Sequence, residues 1–476
     1  MNAMTIRTRF SPAPTGYLHL GNARAALFGA LFALKNQGVF ILRIEDTDAT
    51  RSGEEYVEAL QADLQWLGIH WQEGPGVDGP YGPYWQSQRQ AIYADAYRQL
   101  EEKALIYPCF CTDQELQLAR KLQLSRGQAP RYTGICQRLT KEEIESRIQS
   151  GKKPAWRFKV PVGVSIEFDD CVKGVQRFLS DDIGDFIIRR ADGTAPFLFC
   201  NAIDDATMHV THVIRGEDHV ANTPRQMMLL RALQLPVPQY GHLTLIMGED
   251  GAPLSKRHGS FNLRELRESG FLPEALVNYL ARLGHACEAQ ALLSVHALAS
   301  HFSLDKLSRS SAKFDISQLM YWQKTAVQAL DADSLWRWLG ERVLDQVPES
   351  ERALFAETIK GNINFPEDAL QWAKILFHEN APIEADGLLI LREAGEQFFV
   401  EAELAVDKFG IDLQQVLAEM KQTLGVSGKK LFMPLRIALT GQPHGPELGA
   451  IAKLLGQKKL KHRLGRAVQL ISERAE

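Results

Sequence analysis

The 476-residue sequence predicts an α/β protein, with a doubly wound nucleotide-binding fold at its N-terminal end and helical domains after it. Two observations predict this class. A short strand, a Pro/Gly loop, an apolar helix and a second strand follow one another near the start, and together they form a βαβ unit. From about Ser303 onward the pattern is helical, and few segments have the character of strands.

The βαβ unit places two candidate loops at one edge of the sheet. Residues 6–10 are predicted as a strand, and the helix should run from about Gly21 to Asn36, with Gly38 as its C-terminal stop. The run "VFILRIEDTD" is apolar and then charged, which is typical of a buried parallel strand. The loop "SPAPTGYLHLG" and the cluster "EDTD" both follow strands, so both are expected at the carboxyl edge of the sheet, where such folds bind ligands.

The length exceeds what one hydrophobic core supports, so we predict several domains. The segment 108–190 contains "CFC", "RYTGIC" and the β-rich "AWRFKVP" and "VSIEFDD", and it is predicted to be inserted between the two halves of the nucleotide fold. The strand "MHVTHVIRGEDH" belongs to the second half. The predicted segments are 1–107 (first half), 108–190 (α+β insertion), 191–304 (second half), 305–375 (helical) and 376–476 (helical).

Charge and cysteine content narrow the classes of partner and compartment. From Lys421 to the end there are eleven Lys and Arg against three Glu, so this end carries +8 and the remainder of the chain −12. Such a basic end indicates either a polyanionic partner or a solvated helical face. No apolar run is long enough to span a membrane, we expect no secretory signal, and six cysteines do not make a disulfide framework. We therefore expect a cytoplasmic protein.

Two segments carry the residue types that bind phosphate. In "PTGYLHLGNARAAL", Gly16 and Gly21 allow close backbone approach to a ligand at a helix N-terminus, and His19 can donate a hydrogen bond to phosphate. A lone histidine at such a position is more often structural. In "LSKRHG", Lys256 and Arg257 can neutralise a triphosphate, although a solvated basic loop has the same composition.

Polar residues at three predicted strand ends indicate an amino acid as ligand. Glu45 can hold an ammonium group, Arg215 can grip a carboxylate in a bidentate fork, and Arg9 is a second candidate for a carboxylate. Each of them could instead form a structural salt bridge. The presence of all three in one fold favours binding of an amino acid.

Taken together, these segments resemble one known family. "RFSPAPTGYLHLGNARAAL", "FILRIEDTD", "THVIRGEDHVANTPRQ", "LSKRHG" and "LPEALVNYLARLG", in this order, closely resemble the bacterial glutamyl-tRNA synthetases. "HLGN" stands at the HIGH signature of that class I family, and "LSKR" stands at its KMSKS signature. The resemblance implies a Rossmann-type class I catalytic domain with an inserted α+β subdomain, followed by all-α anticodon-binding domains.

The resemblance also implies the reaction and its partners. The family joins L-glutamate to ATP, with Mg²⁺ on the phosphates, and transfers the glutamyl group to tRNA(Glu). Whether tRNA(Gln) is also or instead a substrate stays open, and we expect a monomer. By resemblance, His19, Lys256 and Arg257 are the catalytic residues. ATP is held by Thr15, Gly16, His19, Gly21, Asn22, Leu254, Ser255 and Lys256, and glutamate by Arg9, Ala13, Glu45, Phe197, Asn201 and Arg215.

Three positions depart from the family pattern. Ala13 stands where a substrate-touching serine is common, and Phe197 stands where a tyrosine is common. Pro253 replaces the first lysine of the KMSKS signature. The two missing hydroxyls are expected to weaken glutamate binding or to shift its pose, and the missing lysine removes one phosphate contact.

Three cysteines match a zinc site that part of the family contains. Cys109, Cys111 and Cys136 would supply thiolate ligands, and Tyr132 has the spacing of a fourth ligand found in the shortened glutamyl-queuosine synthetase. The position where a histidine is common is Arg138. A degenerate site with three free thiols is the alternative. The isolated Cys171, Cys200 and Cys287 are expected to be small buried hydrophobic residues.

Four other classes of protein share part of this pattern, and the sequence disfavours each of them. Glutaminyl-tRNA synthetases have a β-barrel anticodon-binding part, whereas this C-terminal end reads as helical. The queuosine-modifying relative lacks such a C-terminal region. A silent RNA-binding paralogue is disfavoured because His19 and Lys256 are both present. A nucleotidyltransferase unrelated to tRNA would have no use for the basic helical end.

Overall fold

The computed structural model describes residues 5–47, 52–254 and 262–473, which form two compact units. The first unit comprises Met1–Glu268 and Leu276–Ile316, and the second comprises Ser269–Ala275 and Ser317–Glu476. The strands are β1 (Arg7–Phe10), β2 (Val39–Leu42), β3 (Ile106–Cys109), β4 (Ala155–Phe158), β5 (Ser165–Asp170), β6 (Gly174–Leu179), β7 (Phe186–Arg189), β8 (His212–Gly216), β9 (Gln239–Leu243), β10 (Ile246–Met247) and β11 (Ala312–Lys313).

Helices connect these strands and follow the last of them. The first eleven are α1 (Leu20–Lys35), α2 (Glu54–Trp66), α3 (Gln90–Glu102), α4 (Asp113–Ser125), α5 (Lys141–Gln149), α6 (Ser180–Ile183), α7 (Phe197–Thr207), α8 (Thr223–Ala232), α9 (Leu263–Glu268), α10 (Pro273–Arg282) and α11 (Val295–His301). In the part of the chain that the structure describes, no helix combines the length and apolar character that crossing a membrane requires.

The main sheet has six strands in the order β2-β1-β8-β9-β5-β6. The pairs from β2 to β5 are parallel, and β5 pairs with β6 in an antiparallel manner. The predicted strand, helix and strand of the βαβ unit are therefore confirmed as β1, α1 and β2. The strand order reverses between β1 and β8, and such a switch point is where open α/β sheets bind ligands.

Gly38 takes part in ending α1, as predicted, because its backbone N–H donates to the carbonyl oxygen of Ala33 (2.8 Å), and it has a second role. Helix α1 ends at Lys35, and the left-handed residue after it is Gln37, with φ of +50°. A Cβ atom on Gly38 would lie 2.2 Å from the carbonyl oxygen of Ile6, so glycine is required here because the two segments approach closely at the start of β1 and β2.

The segment predicted as an insertion contributes to two sheets. Strands β3, β4 and β7 form a separate antiparallel sheet in the order β3-β4-β7. Strands β5 and β6 instead extend the edge of the main sheet, because the end of β5 pairs with β9 at Asp170 and Tyr240. A single-sequence pattern does not separate these two destinations, because it indicates which segments are strands and not which strands they pair with.

The second unit is helical in its described part, as the sequence predicts. Its helices are α12 (Ile316–Ala329), α13 (Ala332–Leu339), α14 (Glu341–Leu344), α15 (Arg352–Ile359), α16 (Pro366–Phe377), α17 (Ala385–Ala394), α18 (Glu396–Phe409), α19 (Leu413–Leu424), α20 (Lys429–Thr440) and α21 (Leu448–Ser472). Helix α21 kinks at Gly456 and packs against α18, α20 and α17.

Candidate active site

A cleft of about 860 Å³ opens at the carboxyl ends of β1, β8 and β9, beside the N-terminus of α1. It lies at the switch point of the sheet, where the fold predicts a ligand. The predicted site residues that line it come from four distant parts of the chain: Arg9, Thr15, Gly16, His19, Gly21, Asn22, Phe197, Asn201, Arg215 and Leu254. The structure therefore brings most of the predicted ATP and glutamate residues to one place.

Two of the remaining predicted residues, Ala13 and Glu45, do not line this cleft. Ala13 is exposed to solvent, and Glu45 is buried behind the cleft wall. Ser255, Lys256 and Arg257 lie outside the described residues. Pro253 does line the cleft.

His19 is the N-cap of α1, and its ring has a defined orientation. Its Nδ1 accepts hydrogen bonds from the backbone N–H groups of Gly21 (3.1 Å) and Asn22 (3.4 Å). Partial burial lowers the pKa of His19, and the charge of Asp218 opposes this only in part. A neutral ring with Nδ1 as acceptor carries its proton on Nε2, so His19 offers one N–H donor. His19 can therefore cap α1 through Nδ1 and still donate a hydrogen bond to a ligand through Nε2.

Arg215 at the end of β8 is buried, and two of its three nitrogen atoms are already engaged. Nε donates to Nε2 of His242 (3.1 Å), while Nη2 donates to Thr223 Oγ1 (2.9 Å) and Gln226 Oε1 (2.8 Å). Nη1 has no partner among the described residues. Burial lowers the pKa of Arg215 to about 10, which leaves it charged at neutral pH. Nη1 is thus the nitrogen of Arg215 that remains for a ligand, and the bidentate grip on a carboxylate stays a prediction.

Glu45 contributes to a buried polar network. Its Oε1 accepts from Arg43 Nη2 (3.1 Å) and from Asn201 Nδ2 (2.7 Å). Burial raises the pKa of Glu45, despite the opposing charge of Arg43. Asn201 Oδ1 in turn accepts from Gln226 Nε2 (3.0 Å), which connects the network to Arg215. Glu45 therefore pairs with Arg43 and holds Asn201 in the cleft wall, while its contact with a ligand ammonium group stays a prediction.

Arg9 has a similar anchor. Its Nε donates to Asp205 Oδ1 (3.1 Å), and the same oxygen accepts from Arg43 Nη1 (2.7 Å). Burial would raise the pKa of Asp205, but the charges of Arg9 and Arg43 outweigh this and hold it below its usual range. Arg9 lines the cleft, so this ion pair fixes its guanidinium at the cleft wall.

Three further residues of the cleft wall have no counterpart in the sequence prediction. Ser11, Asp218 and His219 line the cleft, and the ring of His219 lies 5.3 Å from that of Phe197, centroid to centroid. Burial lowers the pKa of His219 to about 4, so the ring is neutral at pH 7. The rule that identified Arg215, a polar residue at a strand end, also applies to His242 in β9 and could have found it.

The cysteine cluster forms a second candidate site. The Sγ atoms of Cys109, Cys111 and Cys136 lie within 4.8 Å of one another. Tyr132 Oη is 3.5 Å from Cys109 Sγ and 3.4 Å from Cys111 Sγ, so the fourth predicted ligand lies at the same place. The three thiols thus converge at one place beside the phenol of Tyr132, and thiolate ligands of this kind fit a structural zinc ion. Of the isolated cysteines Cys200 is buried as predicted, whereas Cys171 and Cys287 are partly exposed.

The basic C-terminal end divides into two groups of side chains. Arg463 is buried and donates to the carbonyl oxygens of Ile375 (2.6 Å) and His378 (2.8 Å), and Lys459 donates to that of Phe377 (2.9 Å). These cations stabilise the C-terminus of α16. Among the described Lys and Arg residues of this end, those with exposed side chains are Lys421, Lys429, Lys430, Lys453 and Lys458.

Comparison with known families places the fold and the cleft in one class of enzyme. Residues 5–321 match the family model of the catalytic domain of class I tRNA synthetases (E and Q), and residues 332–468 match that of an anticodon binding domain. The chain belongs to the class I tRNA synthetases of this glutamate and glutamine family. It is therefore an aminoacyl-tRNA ligase, and enzymes of this family use ATP and Mg²⁺.

Individual relatives are named for glutamate. The chain is 54 % identical over 469 residues to a glutamate–tRNA ligase of Nitrosococcus oceani, covering 98 % of this chain and 99 % of the relative. It is 49 % identical to one of Halorhodospira halophila, with 99 % of both chains covered. The resemblance to glutamyl-tRNA synthetases is thus confirmed.

Solved structures agree with the predicted fold class. A glutamate–tRNA ligase of Elizabethkingia meningosepticum, crystallised with its amino acid, superposes with a TM-score of 0.87 at 27 % identity, covering 98 % of this chain and 99 % of that one. The synthetase of Elizabethkingia anophelis gives 0.88 at 27 % identity, with 98 % and 100 % covered. The predicted combination of a class I catalytic domain and a helical anticodon-binding part is confirmed.

Proposed function

We propose that this enzyme activates L-glutamate with ATP and transfers the glutamyl group to the terminal adenosine of tRNA(Glu). One observation carries the choice of amino acid. The buried Arg215 lines the cleft that also contains His19 and the N-terminus of α1, and its Nη1 has no hydrogen-bond partner among the residues that the structure describes. A buried cationic donor without a partner favours an anionic ligand group.

Arg215 is the residue that selects glutamate in this proposal. Its Nη1 would donate to the side-chain carboxylate, and a glutamine in the same pose would place a neutral amide against a buried charge. Arg9 lies in the same wall and adds a second positive charge. Asn201 is fixed by Glu45 and Gln226 and orients the region between them.

The nucleotide would bind at the N-terminus of α1. Unpaired backbone N–H groups there favour phosphate, and the Nε2–H of His19 can donate to a phosphate oxygen as negative charge develops. Lys256 and Arg257 keep the phosphate-covering role that the sequence resemblance implies. Mg²⁺ on the phosphates would supply further neutralisation.

The chemistry requires no nucleophilic side chain. The glutamate α-carboxylate attacks the α-phosphorus of ATP, a P–O bond forms, and pyrophosphate leaves. A ribose hydroxyl of the tRNA then attacks the activated carbonyl carbon and AMP leaves. Positioning and electrostatic stabilisation account for catalysis of both steps.

Exposed lysines of the second unit are the proposed contacts with tRNA phosphates. Lys421, Lys429, Lys430, Lys453 and Lys458 are exposed on α19–α21, in the region that matches the anticodon binding domain. Phosphate contacts make binding salt-dependent. Because its substrates are tRNA and ATP, we propose the cytoplasm as the site of action.

The cysteine cluster is proposed to hold a structural zinc ion. Cys109, Cys111, Cys136 and Tyr132 would be its four ligands, and the ion would stabilise the fold of this segment. Metal analysis after reducing, chelator-free purification should give about one zinc per chain, and Cys111→Ser should reduce it. The matched variant Cys171→Ser, outside the cluster, should keep the metal. A ratio near zero in the unaltered protein would reject this site.

Charging assays with two amino acids and two tRNAs test the proposed function. Purified tRNA(Glu) and tRNA(Gln) are each incubated with ATP and labelled glutamate or labelled glutamine. We expect glutamate on tRNA(Glu). Charging with glutamine would assign the enzyme to the other amino acid of its family, and charging of tRNA(Gln) with glutamate would extend its tRNA range. If no combination gives product, the proposal fails.

A further inference from the structure

Arg215 rests on two further buried side chains that the proposed reaction does not use directly. His242, in β9, accepts from Arg215 Nε at its Nε2 (3.1 Å), and its Nδ1 lies 2.5 Å from Oδ2 of Asp170 at the end of β5. Arg215, His242 and Asp170 are 6 %, 0 % and 2 % exposed. These residues are brought together by the pairing of β8, β9 and β5 in the main sheet.

The hydrogen bonds of Asp170 determine which nitrogen of His242 carries the proton. Its Oδ1 accepts from the backbone N–H groups of Val172 (2.9 Å), Lys173 (2.8 Å) and His242 (3.2 Å). Burial would raise the pKa of Asp170, but hydrogen bonds from His242 and these backbone groups hold it below its usual range. An ionised carboxylate only accepts, so Nδ1 of His242 must donate to Oδ2, and Nε2 is left as an acceptor.

We propose that Asp170 and His242 are positioning residues for Arg215. Asp170 holds the tautomer of His242 in which Nε2 accepts, and His242 thereby fixes Arg215 Nε so that Nη1 alone faces the amino acid. The proposal rests on the proposed role of Arg215 in binding the glutamate side chain. It assigns the buried end of β5, a strand that the sequence placed in an insertion, to amino acid recognition.

The substitution Asp170→Asn should exchange the donor and acceptor nitrogens of His242 while it leaves the shape of the side chain at position 170 nearly unchanged. Three backbone N–H groups require an acceptor at the position of Oδ1, so the amide oxygen of Asn would stay there and its NH₂ group would face His242. Nδ1 would then accept, and the proton would move to Nε2. The Nε2–H group of His242 would then face the Nε–H group of Arg215. Because both groups are donors, no hydrogen bond can form between them, and Arg215 would lose its orientation.

Two matched variants separate this effect from simple loss of packing. Asp169→Asn makes the same chemical change at the neighbouring position of β5, where the side chain is exposed. His242→Gln keeps one acceptor and one donor at a separation similar to that of the imidazole nitrogens, so it can donate to Asp170 and accept from Arg215. It should therefore retain most of the function that His242→Leu loses.

The experiment measures KM for glutamate and for ATP in the charging reaction, with thermal unfolding beside it. Asp170→Asn should raise KM for glutamate about tenfold and leave KM for ATP within about twofold, while Asp169→Asn should match the unaltered enzyme and His242→Gln should stay within about threefold. An unchanged KM for glutamate in Asp170→Asn overturns the proposal. Equal increases in both KM values with a lower melting temperature would also overturn it, since that result indicates a purely structural role.

Nitrogen NMR of histidine-labelled protein reads the tautomer directly and does not depend on activity. The signals of His242, identified by their loss in His242→Gln, should report a proton on Nδ1 in the unaltered protein and on Nε2 in Asp170→Asn. The same tautomer in both proteins contradicts the proposal. Failure of the proposed function gives a different result, because the unaltered enzyme would then not charge tRNA with glutamate at all.

Discussion

The two ends of the cleft hold their donor groups in different ways. At the carboxylate end, Arg215 is fixed by side chains from β9 and α8 and has one nitrogen left for a ligand. At the phosphate end, His19 lies at an exposed position and is fixed by two backbone N–H groups of its own helix. The side chain at one end is thus oriented by long-range buried contacts, whereas the ring of His19 is oriented by N–H groups two and three residues away, although its backbone also pairs with Asn262.

The cost of burying charge explains this difference. A guanidinium removed from water is stable only where other groups accept its hydrogen bonds, so Arg215 requires partners on every side except that of the ligand. A helix N-terminus supplies partial positive charge and N–H donors without burying an ion. It can therefore remain open to a large, solvated ligand such as a nucleotide.

Arg215→Ala should produce the largest loss. The variant removes a buried charge and leaves Gln226 and His242 without their donor, so we expect kcat/KM for glutamate to fall roughly 10²- to 10³-fold, mainly through KM. Steady-state charging at varied glutamate measures this. The matched control is Arg177→Ala. Arg177 is an exposed residue of β6 that forms an ion pair with Glu167 of β5, so this variant should behave as the unaltered enzyme. Similar losses in both variants would contradict the special role of Arg215.

His19→Asn separates the two roles of His19. Asparagine can accept from the backbone N–H groups of Gly21 and Asn22 and so keeps the helix cap, but it lacks the Nε2–H donor. We expect kcat to fall about 10²-fold with KM for glutamate unchanged and little change in melting temperature. A variant with normal kcat would show that this histidine acts only as a cap. His19→Ala, which also loses the cap, should in addition lower the melting temperature.

The phosphate end could be predicted from the sequence because its contacts are local. The glycines, His19 and the start of α1 lie within a few residues of one another, and helix capping is a short-range rule. The strand, helix and strand that position them were also predicted for the same reason. Strand-end polarity identified Arg215 and Arg9, and the family resemblance identified Asn201; all three line the cleft.

The carboxylate end could be predicted only in part, because its partners are distant in sequence. Asp170 and His242 are separated by 72 positions, and their contact depends on how β5 joins the sheet beside β9. The sequence pattern predicts β5 as a strand but does not predict that it pairs with β9, so it does not reveal the contact of His242 and Asp170 behind Arg215. Glu45 was predicted to face the ligand for a related reason: its position after β2 was correct, but its partners Arg43 and Asn201 were not foreseen.

Substitutions at Ser11 and Ala13 should change glutamate binding by less than those at Arg215. The sequence singles out Ala13, where the family commonly has a serine, but the structure exposes Ala13 and places Ser11 in the cleft wall. We therefore expect Ser11→Ala to raise KM for glutamate about fivefold, the effect of one hydrogen bond. Ala13→Ser should change it less than twofold. The opposite order of effects would show that glutamate approaches position 13.

The smallest expected effect is a loss of folding stability at acid pH, caused by a histidine in the packing beneath α1. Helix α1 buries Phe28 against Phe302, and the ring of His285 stacks on Phe302 at 4.9 Å between centroids. Burial lowers the pKa of His285 to about 4, from 6.5, so the unfolded chain binds a proton more readily than the folded one at intermediate pH. Stability should therefore fall as the pH decreases from 6.5 towards 4, by roughly 1 kcal/mol from this residue at pH 5.5.

Urea unfolding at pH 7.5 and pH 5.5 measures that contribution. His285→Gln removes the titrating group, so it should lower stability at both pH values through the lost stacking but show a smaller difference between them. His296→Gln, at an exposed position of α11, should retain the difference seen in the unaltered protein. An equal pH dependence in the unaltered protein and in His285→Gln would mean that the acid sensitivity arises elsewhere, for example from His219 at the cleft, whose pKa burial also lowers to about 4. In that case acid would act on the cleft wall directly, and the helix that carries the phosphate end would keep its packing.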